Sequence, residues 1–239
     1  MNKTAGTMKR GYGRFVLFFV FALVCFCGTC AAVFAEGDTP AGNNAELKPE
    51  NGIPLVIVRV DETTRTIDQM NASPDQSARC EDATIEIKLP EGYTAQEGYS
   101  AVVPEGEKDL KYIRGRGNMT WDCNKKPYKE EMNKAIDLFG MGASTDWSLI
   151  ANSFDTSLMR NRITFWLGEK MGLDYTPKQV PVDLVMIGTE SGEHWYGSYC
   201  ISETINIEES RINIGKLKKD TIDNITGGYL LATYSDQEG

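Results

Sequence analysis

The chain has 239 residues with 25 basic and 34 acidic side chains, so its formal net charge at pH 7 is −9. This acidic balance argues against a general affinity for nucleic acid or anionic lipid, because both need a basic protein surface. The single histidine and the wide spacing of the three cysteines beyond residue 35, Cys80, Cys123 and Cys200, argue against a structural zinc site. For those cysteines, one disulfide with a remaining thiol and three buried free thiols both stay open.

Residues 1–35 have the three parts of a secretory signal peptide. Four basic residues and no acidic residue precede an uncharged apolar run at 15–27, and Val33-Phe34-Ala35 provides a cleavage site before Glu36. The alternative is an uncleaved anchor, because the uncharged stretch from Phe15 to Ala35 is long enough to span a bilayer. We expect an extracytoplasmic protein, secreted or in the cell envelope, that meets the membrane only through this segment. Cleavage would leave a mature chain with 21 basic and 34 acidic residues.

The polar residues 36–52, rich in Gly, Pro and Asn, predict a disordered linker, and we expect one folded domain over residues 53–239. β-Branched or alternating runs predict strands at 54–60 and 83–89, with a polar excursion between them. A short strand at 111–114 and a return strand at 127–132 are predicted to flank a glycine-rich turn.

A helix is predicted to begin near Asp155 and to stop at Gly172. Its apolar residues recur at helical spacing: Leu158, Met159, Ile163, Trp166, Leu167 and Met171. Strands at 180–187 and 195–203 then form a hairpin, and a last strand is predicted at 227–234. Strands, one helix and further strands favour an α+β domain. We expect Trp121, Trp147 and Trp166 to lie in its core.

The turn Arg114-Gly-Arg-Gly-Asn118 is the segment with the clearest chemistry. Glycine lets the backbone approach a ligand closely, and arginine binds phosphate oxygens with two parallel hydrogen bonds. Three lysines, Lys125, Lys126 and Lys129, follow at short spacing. The pattern indicates a phosphate-binding hairpin, although it lacks the spacing of a Walker A loop. A solvated basic hairpin tip is the alternative.

Several motifs from about residue 112 to 229 occur in an order that resembles the CotH (spore coat protein H) kinase family. They read RGRGNMTW, KKPYK, TDWSLIANSFDTSLMRNRI, VPVDLVMI, YGSYCISETI and ESRINI. The resemblance implies an atypical protein-kinase-like fold, of which this chain would hold mainly the N-lobe and hinge. It also implies a secreted or spore-coat enzyme that uses ATP and Mg²⁺ to phosphorylate Ser or Thr of proteins, such as spore-coat or cell-surface proteins.

The same resemblance places particular residues at the nucleotide. Those implied at the phosphates are Arg114, Arg116, Gly117 and Asn118, with Lys126 or Lys129 as the pairing lysine. Residues 201–204, which include Glu203, are implied beside the adenine. Serine is common in the family where this chain has Met119, and loss of that hydroxyl would weaken phosphate binding if it touches phosphate.

The carboxylates that hold Mg²⁺ and orient the substrate hydroxyl are expected beyond Gly239. We therefore expect the chain to hold the nucleotide-binding half of the domain, truncated at its carboxyl end and inactive by itself. The alternative is an exported structural or binding protein without catalysis. Asn152, Arg160 and Asn161 are either active-site residues or simply tie the predicted helix to the preceding turn.

Overall fold

The computed structural model describes residues 46–215, and most of their regular structure is β-sheet. The strands are β1 (Leu55–Val60), β2 (Arg79–Cys80), β3 (Ala83–Lys88), β4 (Lys108–Gly115), β5 (Tyr128–Asp137), β6 (Ala143–Ile150), β7 (Gln179–Gly188) and β8 (Gly192–Glu203). The α-helices are α1 (Ile67–Asn71) and α2 (Arg160–Lys170), and a 3₁₀ helix spans Met119–Asp122.

Seven of these strands form a sheet that closes on itself. Their order around the ring is β4-β3-β1-β7-β8-β6-β5, and a pairing between β5 and β4 completes the circuit. All neighbours in the ring are antiparallel except β1 and β7, which run parallel with Leu55 opposite Asp183. The short β2 pairs beside β4. Because each ring strand has partners on both sides, none of the seven presents a free edge.

The side chains that point into the ring form one continuous hydrophobic core. On β5 the buried residues are Tyr128, Glu130 and Met132, which alternate with more exposed neighbours as the pleat of a strand requires. Large side chains from other strands fill the same space, including Trp147, Leu149, Tyr199 and Ile201. Trp121 and Trp147 are both buried, so their predicted place in the core is confirmed.

The predicted α+β, kinase-like N-lobe-and-hinge fold is wrong. The described residues form a closed seven-stranded sheet with two α-helices, one of only five residues. Six of the eight strands were predicted near their observed positions, whereas β2 and β6 were not predicted. Hydrophobic periodicity does not say which strands pair. The parallel β1–β7 pair and the closing β4–β5 pair depend on contacts between distant parts of the chain.

Helix α2 differs from its prediction in position and in burial. It begins at Arg160, because Leu158 has a positive φ of 57° and Asp155 accepts a hydrogen bond from the Arg160 amide at 2.8 Å. Most of its expected core stripe faces outward, and Trp166 is 57% exposed. The prediction of Trp166 as a core residue is therefore wrong.

The polar excursion between β1 and β3 contains α1, which was not predicted. Thr66 and Gln69 form a reciprocal capping box at its start, a Thr-x-x-Gln pattern that the sequence shows. Among residues 46–215, neither helix has the length and apolar character needed to cross a membrane. The predicted signal or anchor segment 1–35 and the predicted strand 227–234 lie outside the described residues, as does most of the linker 36–52.

Candidate functional site

The Arg-Gly turn lies at the carboxyl end of β4, where the chain leaves the sheet. The Arg116 amide donates to the carbonyl of Pro127 at 3.1 Å, which ties the turn to the start of β5. Gly115 packs against the ring of Trp121, and a Cβ at this position would meet that ring at 2.3 Å. Gly117 has φ +97°, a left-handed conformation that favours glycine. The two glycines are therefore required by the shape of the turn.

A residue far away in sequence fixes the tip of the turn. The side-chain amide of Gln76 donates to the Gly117 carbonyl at 2.6 Å. The amides of Gly117 and Asn118 donate no hydrogen bond within the described part of the chain. Gln76 was missed by the sequence reasoning, because no local motif marks a contact across 41 positions.

Arg116 differs from the other charged residues of this site in its surroundings. Partial burial lowers the pKa of its guanidinium, and the nearby charge of Arg114 lowers it further. Within residues 46–215 the Arg116 side chain has neither an ion pair nor a hydrogen bond, and the Arg114 guanidinium donates only to the Gly115 carbonyl at 3.0 Å. Two neighbouring cations without a carboxylate form a site of positive potential that an anion would stabilise.

The two lysines before β5 are held by internal contacts. Lys126 Nζ donates to the Trp121 carbonyl at 2.5 Å and lies 4.4 Å from the centre of the Trp121 ring. Lys125 Nζ donates to the Ser198 carbonyl and lies over the Tyr199 ring, and burial lowers the pKa of its ammonium group. These contacts attach the Lys125 and Lys126 side chains to residues next to the turn.

Lys129 lies directly opposite Arg114 in the β4–β5 register. Like charges at directly opposed positions repel each other. Here Asp146 on β6 compensates, because its carboxylate lies 2.5 Å from Lys129 Nζ. Lys129 is therefore neutralised within the sheet, whereas Arg116 is not.

Glu203 lies at the end of β8, separated from β4 by β5 and β6. Its buried carboxylate meets Arg211 at 3.0 Å and accepts hydrogen bonds from the Tyr175 hydroxyl and the Lys178 amide. Burial raises the pKa of Glu203, and these partners oppose that rise.

The structure thus brings together Arg114, Arg116, Gly117 and Asn118, with Lys126 and Lys129 next to them, and places Glu203 apart. The role of Glu203 beside adenine stays a prediction.

Two further buried carboxylates were not singled out from the sequence. Glu62 accepts hydrogen bonds from the Ile67, Glu190 and Ser191 amides and from the Ser191 hydroxyl. Although burial raises the pKa of Glu62, these bonds lower it to about 2, so it joins α1 to the β7–β8 turn as a carboxylate. Glu130 is fully buried inside the ring, and neither of its oxygens has a hydrogen-bond partner in the part of the chain that the structure describes.

The described residues contain no group of three or more His, Cys, Asp or Glu side chains that could hold a metal ion. The feature of this part of the chain that supports recognition of an anion is the pair of neighbouring guanidinium groups of Arg114 and Arg116.

Comparison with known families adds one finding: the profile of the family described as CotH kinase protein matches residues 113–238, a range that begins one residue before Arg114. A search of curated proteins found no match.

Proposed function

Because the chain belongs to the CotH kinase protein family, we propose that its Arg-Gly turn, residues 114–118, binds the phosphate groups of ATP. The nucleotide would serve a kinase that transfers phosphate to Ser or Thr hydroxyls of exported proteins, such as those of a spore coat or cell surface. The anion-binding step is the part that the described residues bear on directly.

The guanidinium of Arg116, which has no ion pair or hydrogen bond within residues 46–215, carries this proposal. A partly buried cation beside a second cation is destabilised unless an anion approaches it. The Gly117 and Asn118 amides point to the same conclusion, because free backbone N–H groups in a glycine turn hydrogen-bond phosphate oxygens. Global charge does not explain attraction of a triphosphate, since the chain is acidic. The attraction must therefore be local to the turn.

The proposal for the turn does not extend to the Mg²⁺ ion that kinases use. Phosphoryl transfer in kinases uses carboxylates to hold Mg²⁺ and to orient the attacking hydroxyl. Since no metal-binding group of side chains occurs between residues 46 and 215, we assign no metal ligand and no transfer step to this part of the chain.

Calorimetric titration of ATP into the protein and an Arg116→Ala variant tests the proposal. A charge-assisted hydrogen bond is worth about 1.5–3 kcal/mol, so affinity should fall roughly tenfold to a hundredfold. Arg116→Lys should recover only part of the loss, because an ammonium group cannot form the two parallel bonds of a guanidinium. Lys111→Ala is the matched control, since it removes one charge from β4, the strand that leads into the turn, at an exposed position that Glu131 neutralises. Unchanged ATP affinity in a folded Arg116→Ala variant would show that the turn does not hold phosphate.

A binding protein without catalysis is the second candidate. It is favoured by the observation that Lys126, Lys129 and Glu203 all have internal partners, so that within residues 46–215 the predicted lysine and adenine-side contacts are already engaged. ATP binding without transfer of labelled phosphate to any protein would support this candidate.

We also propose that the protein is exported and that the mature chain begins at Glu36. The basic residues before position 15 and the apolar run after it support this proposal. Mass spectrometry of the protein from the producing cell should find Glu36 at the amino terminus. An intact Met1 on the extracytoplasmic protein would instead support the uncleaved anchor.

A further inference from the structure

A groove of about 290 Å³ opens beside the Arg-Gly turn and extends to the beginning of α2. We call it the Phe154 groove, and its lining includes Thr120, Pro127, Asn152, Phe154, Arg160 and Asn161. One wall comes from the segment between β4 and β5. The other comes from the segment between β6 and α2 and from the first residues of α2.

The groove adjoins the turn, because Thr120 and Pro127 line the groove and also contact residues of the turn. The Pro127 carbonyl accepts the Arg116 amide at 3.1 Å. Gly117 lies directly against the Thr120 hydroxyl and the Pro127 ring, where a Cβ would meet them at 2.3 and 3.3 Å. Pro127 and Thr120 also line the groove. An anion on the turn would therefore have the rest of its molecule at the mouth of the groove.

The far wall is fixed by its own hydrogen bonds. Asn152 has φ +51°, and its side-chain oxygen accepts from Asn161 Nδ2 at 2.9 Å. Asp155 accepts from the Ser157 hydroxyl and from the Arg160 amide, which holds the start of α2 in place. These bonds leave the Asn161 side-chain carbonyl without a donor among the described residues. The Arg160 side chain, 77% exposed, lies 3.5 Å from the Asp155 carboxylate at the rim of the groove.

Phe154 lines the groove with 62% of its surface exposed. A large aromatic ring at the wall of a groove offers a stacking face, and every nucleobase has a complementary π-face. The unused Asn161 carbonyl accepts hydrogen bonds, which suits the amino group of a base. The wall therefore has the two features that a base needs, a stacking surface and a polar acceptor beside it.

We propose that the Phe154 groove binds the nucleoside part of the nucleotide whose phosphates lie on the Arg-Gly turn, with the base stacked on Phe154. This inference rests on the proposed function. It adds a base-binding residue that lies outside the arginine turn. It also gives Asn152 and Asn161 a positioning role in place of a purely structural one.

The test compares two ligands on the full chain by calorimetry: ATP, and inorganic tripolyphosphate, which has the phosphates but no nucleoside. Wild-type protein should bind ATP more tightly than tripolyphosphate. Phe154→Ala should weaken ATP binding roughly fivefold to a hundredfold, the range of base stacking on an aromatic side chain, and should leave tripolyphosphate binding unchanged. Phe154→Leu keeps the apolar bulk and should lose most of the same affinity, because it has no π-face.

Trp166→Ala is the matched control. Trp166 is a similarly exposed aromatic residue, 57% against 62%, but it lines a different cavity on the other side of α2. Its replacement should change neither affinity.

The outcomes separate this inference from the proposed function. If wild-type protein binds both ligands equally, or if Phe154→Leu leaves ATP affinity unchanged, the groove does not bind the nucleoside, and phosphate binding by the turn stands. If Arg116→Ala changes neither affinity while Phe154→Ala lowers the affinity for ATP, the groove binds the nucleoside, and the proposal that the turn binds the phosphates is wrong. If neither ligand binds to wild-type protein, both are overturned.

Discussion

The guanidinium of Arg211 lies 3.0 Å from the carboxylate of Glu203, and both side chains are almost entirely buried, at 0% and 3% exposure. The guanidinium carbon of Arg211 also lies 4.9 Å from the centre of the Trp147 ring, and its Nη1 donates to the Met141 carbonyl at 2.6 Å. The pair thus attaches the segment after β8 to the core of the closed sheet. Its geometry makes Glu203 a structural anchor, whatever else the residue contacts.

Glu203→Gln should destabilise the protein strongly, because it leaves the Arg211 charge buried without a counter-charge. Breaking a buried ion pair in this way costs about 3–5 kcal/mol. Urea denaturation followed by fluorescence should show this loss in the free energy of unfolding. The matched control is Glu81→Gln, which breaks the exposed Arg79–Glu81 pair and should cost less than about 1 kcal/mol. Equal losses in the two variants would contradict the anchor role.

Glu130 should make stability fall as pH rises. Burial raises the pKa of this carboxyl group to about 8, while in the unfolded chain it stays near its ordinary value of 4.5. Between these two values the unfolded state releases a proton that the folded state retains, so the free energy of unfolding decreases with pH. The decrease is complete above about pH 8 and absent below about pH 4.5. Its size is about 4 to 5 kcal/mol, at roughly 1.4 kcal/mol for each pKa unit.

The measurement for Glu130 is a series of urea denaturation curves from pH 5 to pH 8.5 for wild type and Glu130→Gln. The variant should gain stability over wild type as pH rises, because its amide does not ionise. Glu131→Gln is the control on the adjacent, Lys111-paired position, where the pKa is lowered, and it should show no such gain. Parallel pH profiles for wild type and Glu130→Gln would contradict the prediction.

The three cysteines after residue 35 should differ in reactivity. All three are free thiols; Cys80 and Cys200 are buried, and Cys123 is partly exposed. Burial raises the pKa of Cys80 to about 11 and also raises that of Cys200, so both carry little of the reactive thiolate. Brief iodoacetamide treatment followed by peptide mass mapping should find Cys123 modified first. Early modification of Cys200 in the folded protein would contradict its burial.

Gly115→Ala should destabilise the protein through steric overlap with Trp121. Its new Cβ would lie 2.3–2.7 Å from three ring atoms of a side chain that is itself buried and hydrogen-bonded to the Ser73 carbonyl. Overpacking of this kind costs about 1–3 kcal/mol. In a Trp121→Leu background the same change should cost much less, because the clashing ring is gone. Additive losses in this double-mutant cycle would show that the two residues do not interact in this way.

Local pattern was enough to find most of the strands. The β-branched and alternating runs at 54–60, 83–89 and 180–187 correspond closely to β1, β3 and β7, because alternation along a strand is a property of neighbouring residues. The Arg-Gly turn was recognised for the same reason, since its glycines and arginines adjoin in sequence. Helix α2 was predicted in the right region, but its apolar stripe did not reveal that Trp166 faces outward.

By itself the sequence determined the acidic charge, the family to which the chain belongs, the positions of the main strands and the arginines at one turn. Only the tertiary structure decided that β4 and β5 close a ring, that Lys129 is neutralised by Asp146 and that Glu203 is paired with Arg211. It also decided that Arg116, without an ion-pair partner among the described residues, lies near a groove whose far wall comes from residues between 150 and 161. The physical reason is that pairing, burial and the resulting pKa shifts depend on which distant residues meet in space, and periodicity along the chain has no record of those contacts.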